Sequence, residues 1–115
     1  MITFQTFREL VPPDDPIKIG RVLHRLCCGE TFNRFQAEAW LHDHALNSTI
    51  SELANDHYIS IKRQWETVPG YRQKPTPCVR YSIDPNPRNL AACYRRLRSW
   101  GWRIEGDLSP PSEVA

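Results

Sequence analysis

Between Pro16 and Gly29 the apolar residues Ile19, Val22, Leu23 and Leu26 recur at i, i+3, i+4 and i+7, which puts them on one stripe of a helix. Asp15 is placed to cap that helix, Pro16 to open it, and Gly29 to end it after about Cys28. Ahead of it, the run Val11-Pro12-Pro13-Asp14-Asp15-Pro16 breaks the chain. Residues Ile2 to Leu10 fit either a short strand, by Ile2 and Phe4, or one helical turn, by Phe4 and Phe7. A second helix is expected from the cap Asn33 to about Leu41, with Phe32 before it and Phe35 and Ala39 sharing a face. His42-Asp43-His44 then forms a turn. A third helix, from about Ala45 to Asp56, carries Leu46, Ile50 and Leu53 inward and leaves Asn47, Ser48, Thr49, Ser51, Glu52 and Asn55 outward.

The period changes from helical to alternating after Tyr58. Ile59, Ile61 and Trp65 line one strand, Val79, Tyr81 and Ile83 another, and Pro69 to Pro77 links them as a hairpin with Arg72 and Lys74 near its tip. Asn86 caps and Pro87 opens a last helix bearing Leu90, Cys93, Tyr94, Leu97 and Trp100 on one side, with Gly101 at its C′ position. Core packing is the expected role of Trp40, Trp65 and Trp100, and exposure that of Trp102. The Ser/Pro-rich acidic end is expected to be disordered.

A chain of 115 residues, 40% of them apolar, makes one domain with a real core. It divides into an N-terminal segment (1–15), a main unit (16–84), a C-terminal helix (85–104) packed on it or used for pairing, and a tail (105–115). No run approaches a membrane span and the N-terminus lacks signal-peptide order, so the expectation is a soluble, intracellular protein. The four cysteines have no zinc spacing and make a poor disulfide framework, so buried free thiols are expected. Scattered single glycines exclude a dinucleotide fingerprint or phosphate loop.

Charge is segregated. Residues 1–58 carry a net −3, residues 59–103 a net +8, and the end a net −3. A concentrated basic region points to an anionic partner, nucleic acid first, although a solvated face would look the same.

Phe32-Asn33-Arg34-Phe35-Gln36-Ala37-Glu38 entering the second helix, Leu46-Asn47-Ser48-Thr49-Ile50-Ser51 opening the third, Trp65-Glu66-Thr67-Val68-Pro69, and Arg80-Tyr81 returning from the hairpin carry a resemblance. Over Asn33 to Tyr81 the chain resembles the winged helix-turn-helix family, and in particular small helix-turn-helix proteins encoded by bacteriophages and prophages. The family's usual turn glycine is absent. The resemblance implies a mainly α fold with a small β-hairpin: three helices, a two-stranded wing, and here an added C-terminal helix. It also implies that the third helix lies in the major groove of double-stranded DNA while the wing approaches the backbone or minor groove.

Amide and hydroxyl side chains suit that role, because Asn bonds two adenine edge atoms at once and Ser and Thr bond several bases. Asn47, Ser48, Thr49 and Ser51 are the candidate readers, followed by Asn55. Arg63, Arg72, Gln73, Lys74 and Arg80 are the candidate phosphate contacts, and Arg95, Arg96 and Arg98 could extend the basic surface or leave the last helix to pair with a second copy. His42 and His44 do not share a helical face and have no third ligand nearby, so no metal is expected, nor any cofactor. No pair of titratable groups is fixed in one pocket, so the chain is read as a non-enzyme.

The expected function is sequence-specific DNA binding, as a phage or prophage transcriptional regulator or replication accessory in the bacterial host cytoplasm. The alternative is a winged-helix interaction module that inhibits a host protein, as a takeover or anti-defence factor such as an anti-CRISPR. The acidic first half and Glu52 on the reading face keep that alternative in view.

Overall fold

The apolar stripe of the first long helix is the axis on which the other helices pack. In the computed structural model, which describes residues 1–41, 43 and 45–104, the elements are α1 (Phe4–Arg8), β1 (Leu10–Val11), α2 (Lys18–Cys27), α3 (Arg34–Leu41), α4 (Leu46–Asp56), β2 (Ile61–Pro69), a 3-10 turn (Tyr71–Gln73), β3 (Pro75–Ile83), α5 (Pro87–Ser99) and β4 (Arg103–Ile104). Val22, Leu23, Leu26 and Cys27 of α2 have no exposed surface, and α1, α3, α4, α5 and β3 all lie against this helix. The core adds Leu46, Ile50 and Leu53 from α4, Ile61, Tyr81 and Ile83 from the hairpin, and Leu90, Cys93 and Leu97 from α5. Burying each large aliphatic side chain is worth about 1.5–3 kcal/mol, so one continuous cluster ties the helices and the hairpin base into one body.

The described residues form a small α/β protein of five helices and two two-stranded antiparallel sheets, with more strand than the mainly helical expectation. The hairpin strands pair over nine residues each, from Ile61↔Ile83 to Pro69↔Pro75, so the ladder runs further out than the periodicity indicated. Only its inner end meets the core. Phe32 exchanges backbone bonds with Tyr81 at 3.2 and 2.9 Å, which anchors the start of α3 along the outer edge of β3. The second sheet, Leu10↔Ile104 and Val11↔Arg103, joins the two ends of the described chain. It has too few residues to leave a periodic signal.

Local chemistry explains most boundaries. The carboxamide oxygen of Asn33 accepts from the backbone of Phe35 and Gln36 at 3.0 and 3.1 Å, capping α3. Asn86 caps α5 by accepting from Arg88 N–H at 2.9 Å, with Pro87 in the first turn. Gly29 and Gly101 end α2 and α5 at φ 93° and 94°, a left-handed conformation that favours residues without a Cβ. The ambiguous N-terminal segment is both things in turn, the short helix α1 and then β1. The expected cap at Asp15 is corrected: the chain is still extended at Ile17 (ψ 152°), so α2 begins at Lys18, beyond the reach of Asp15.

Other expectations are corrected by where the core stops. On α3 the buried positions are Ala37 and Leu41, whereas Phe35 is 40% exposed and Ala39 lies outward. Trp40 and Trp65 are 51% and 74% exposed, because α3 buries a narrow face and the outer hairpin has no second layer among the described residues. Trp100 is half-buried against the core, as expected. Trp102 is 4% exposed: the turn at Gly101 folds it back to stack on His24, with ring centroids 4.1 Å apart. Cys27, Cys78 and Cys93 are buried and all four cysteines are free. The expected disorder of 105–115 and the reading of His42 and His44 lie outside the described residues.

Two contacts make this architecture testable. Asn89 is buried and clamps the hairpin base to α5: its Oδ1 accepts from Ser60 N–H at 2.7 Å, and its Nδ2 donates to the carbonyls of Ser60 and Asp84, both at 2.8 Å. Asn89→Ala leaves those groups unpaired and is expected to cost about 1–3 kcal/mol in a denaturant melt. His24 donates from Nε2 to the Phe7 carbonyl at 2.7 Å, and its burial against Trp102 holds its pKa below the ordinary 6.5. The unfolded chain therefore binds a proton more readily than the folded one, and stability falls as pH drops through about 6.5. Melting temperature is expected to decline between pH 7 and 5 in the unaltered chain and less steeply in His24→Phe.

Candidate nucleic-acid interface

α4 presents one polar face. Its apolar positions Leu46, Ile50 and Leu53 turn inward, so Asn47, Ser48, Ser51 and Asn55 turn outward and are exposed. Together with Glu52 and Asp56 they line an open depression of about 450 Å³. Thr49, expected among them, is 7% exposed, and this is corrected. It stands three residues after Leu46, on the buried stripe, and its hydroxyl donates to Asp43 Oδ2 at 2.8 Å.

Asp43 lies just before α4, and its carboxylate is engaged by its neighbours. Its side chain is wholly buried, accepts from Ala45 N–H at 2.9 Å as well as from Thr49, and lies 3.4 Å from Lys18 Nζ. This satisfied buried carboxylate ties the start of α4 to α2, and it is costly to leave unpaired.

The hairpin meets α4 through one hydrogen bond, from Tyr81 OH to Asn47 Oδ1 at 2.7 Å. This occupies the carboxamide oxygen of the first candidate reader. Arg63 pairs with Tyr81 across the ladder, lies on the same face of the hairpin, and holds its guanidinium carbon 5.9 Å from the ring centroid. Trp65, two residues further out on that face, is exposed. The alternation that suggested a core tryptophan was real, but no other described residue covers the sheet at that distance. Arg63, Tyr81 and Asn47 therefore form one cluster at the junction of helix and hairpin.

Arg72, Gln73 and Lys74 are exposed at the hairpin tip, roughly 30 Å along a nine-residue strand from the base. The tip is closed by Gly70 N–H to the Lys74 carbonyl at 2.7 Å and Gln73 N–H to the Gly70 carbonyl at 3.0 Å. Arg72 and Gln73 take left-handed φ values of 56° and 63°. A Cβ on Gly70 would collide with the Thr76 side chain, so this position requires glycine.

Arg80, expected among the phosphate contacts, is engaged by partners within the protein. Its Nε and Nη2 donate to Oε1 and Oε2 of Glu66 at 2.6 and 3.0 Å, and Nη1 donates to the Thr31 carbonyl, the Thr31 hydroxyl and Gln36 Oε1. Asn33 Nδ2 donates to the same carboxylate at 2.9 Å. Arg80, and then Asn33, hold the Glu66 pKa below the usual carboxylate value. The cluster joins β2 and β3 to the start of α3, and each of the three guanidinium nitrogens of Arg80 has a partner within the protein.

On α5, Arg95 and Arg98 are exposed and Arg96 is half-buried with its guanidinium 5.8 Å from the Trp100 centroid. Arg98 Nη1 donates to the Trp102 carbonyl at 3.3 Å. The structure thus separates the predicted residues into an α4 face with Arg63, a distant hairpin tip, an α5 group, and two internal residues, Thr49 and Arg80. No helix of the described residues is long and apolar enough to cross a membrane. No family model, curated protein or solved structure matches the chain.

The internal roles have distinct signatures. Thr49→Val removes a donor from buried Asp43 and is expected to cost about 1–3 kcal/mol of stability, measured by denaturant melting. Arg80→Ala is expected to lower the melting temperature clearly and to weaken the acid-induced loss of stability below about pH 4.5, whereas Lys74→Ala leaves both unchanged.

Proposed function

We propose that this chain is a sequence-specific double-stranded DNA-binding protein of winged helix-turn-helix type, with α4 as the reading helix and the hairpin as the wing. The observation that carries this reading is the exposed amide and hydroxyl face of α4, joined through Asn47 and Tyr81 to a long hairpin whose tip is basic. An 11-residue helix is about 16 Å long, a fit for a major groove about 12 Å wide. Ser48, Ser51 and Asn55 offer donors and acceptors to base edges, and Asn47 keeps its amide N–H groups for that purpose. Glu52 has cytosine N4 as its natural partner. Arg63 and the tip residues Arg72, Gln73 and Lys74 supply phosphate contacts that fix register without reading sequence. The order α2, the Phe32 bridge, α3, α4 and hairpin supports the same reading. A phage or prophage regulator or replication accessory working in the bacterial cytoplasm is the biological setting that the sequence resemblance favours.

A second reading, a module that docks on a host protein, is favoured by the exposure of Phe35, Trp40 and Trp65 and by the acidic pair Glu52 and Asp56 beside the polar face. The two readings part in one titration. Labelled random duplex is titrated at about 50 and 200 mM salt, followed by selection of tight sites. DNA binding predicts a steep salt dependence and an enriched motif. Ser48→Ala or Asn55→Ala then changes the motif at a cost of about 1–3 kcal/mol, while Lys74→Ala weakens all sequences and lowers the salt slope by about 1. Absence of binding at the lower salt would overturn the proposal and turn attention to a protein partner.

A further inference from the structure

α4 ends in an unusual way. His57 is its C-cap, and Tyr58 follows with φ 58°, after which Ile59 N–H bonds back to the Leu53 carbonyl at 3.0 Å. This is the position where a helix stop normally carries glycine, because a side chain in the left-handed region is strained. A tyrosine stands there instead, and its ring is 84% exposed, so it packs on almost nothing. The fold alone gives no reason for an aromatic residue at this place.

Its surroundings supply one. Tyr58 and His57 border a cleft of about 370 Å³ whose other wall is α5, contributing Arg95, Arg96 and Ser99. Successive turns of α5 bring two guanidinium groups and a hydroxyl to one side. Neither Arg95 nor Arg96 has a carboxylate partner among the described residues, in contrast to Arg80 and Arg25, which are paired with Glu66 and Glu30. His57 is fixed from behind, edge-on to Trp100 with centroids 5.1 Å apart, and has Glu52 3.8 Å from its Nε2. The Ser99 hydroxyl donates to the Arg96 carbonyl at 2.6 Å, so the cleft offers a ligand two guanidinium groups and a flat exposed ring.

We propose that this cleft seats a backbone phosphate of the same DNA duplex, with Arg95 and Arg96 as its cationic partners and the Tyr58 ring against the adjoining sugar. The inference rests on the DNA-binding reading and deepens it. A helix about 16 Å long lying in a groove about 12 Å wide brings its end to the phosphates that border the groove. The cleft opens directly beyond that end of α4, where the helix's own carbonyls and Asp56 would otherwise repel a phosphate. Guanidinium groups are suited to the task because they bond phosphate oxygens in pairs.

The test compares the full chain with the double variant Arg95→Ala/Arg96→Ala and with Tyr58→Gly, by anisotropy titration of the selected duplex at about 50 and 200 mM salt and by thermal melting. The double variant is expected to bind roughly tenfold more weakly at the lower salt, with a salt slope smaller by about 1 and an unchanged sequence motif. Tyr58→Gly is expected to melt at or above the temperature of the unaltered chain and yet to bind DNA more weakly, a combination that a purely structural tyrosine would not give. An unchanged affinity and slope in the double variant, with the unaltered chain binding DNA, overturns the phosphate seat and leaves the DNA-binding reading standing. Failure of the unaltered chain to bind duplex overturns both. If inorganic phosphate raises the melting temperature of the unaltered chain alone, and the DNA slope is the same in both, the cleft belongs to a small anion and the proposal fails.

Discussion

The apolar stripe of α2 is the constraint from which the rest of the molecule follows. Four residues without exposed surface, Val22, Leu23, Leu26 and Cys27, give the other helices a common axis. Because α4 must bury Leu46, Ile50 and Leu53 to join that core, its polar residues have only one direction left. The candidate reading face is therefore a consequence of core packing, and it is presented on a rigid support. The hairpin base is held by the same core through Ile61, Tyr81 and Ile83, while its outer two-thirds project beyond it.

Polar contacts refine what the core places. The Glu66–Arg80 pair, with Asn33, Gln36 and Thr31, locks the hairpin to the start of α3, and the buried Asp43 carboxylate ties the start of α4 to Lys18 of α2. Both clusters are well satisfied, so removing one member leaves a partner stranded away from water. Asn47 has a double position between these levels, bonded to Tyr81 on one side and open to solvent on the other.

The same clusters show why a count of charges misleads about a surface. The segment from residue 59 to 103 carries a net +8, yet each guanidinium nitrogen of Arg80 bonds a partner within the protein and Arg98 bonds a backbone carbonyl. Besides the exposed Lys62, Arg88 and Arg103, basic side chains border the candidate face at three places: Arg63 beside Asn47, the hairpin tip, and the cleft lined by Arg95 and Arg96. These lie at the junction, the far end and the opposite border of one polar face. In the DNA complex proposed above, electrostatic attraction and base reading fall to different residues, as is usual where phosphates position and base edges specify.

The sequence by itself determined the elements whose signals are local. The periodicity of α2, α4 and α5, the caps at Asn33 and Asn86, the glycine stops and the hairpin were legible because each depends on neighbours within a few residues. So was the outward face of α4, apart from Thr49, whose place on the buried stripe was already implied by its spacing from Leu46. Tertiary structure alone decided the rest. Whether Trp65 and Trp102 are covered depends on what lies opposite them, and alternation carries no such information. Whether Arg80 faces solvent depends on Glu66 and Gln36, 14 and 44 residues away. The pairing of β1 with β4, and the meeting of Tyr58 with Arg95 and Arg96, join segments distant in the chain. A local pattern fixes which way a side chain points from its own helix or strand, and only the packed fold fixes what it meets there.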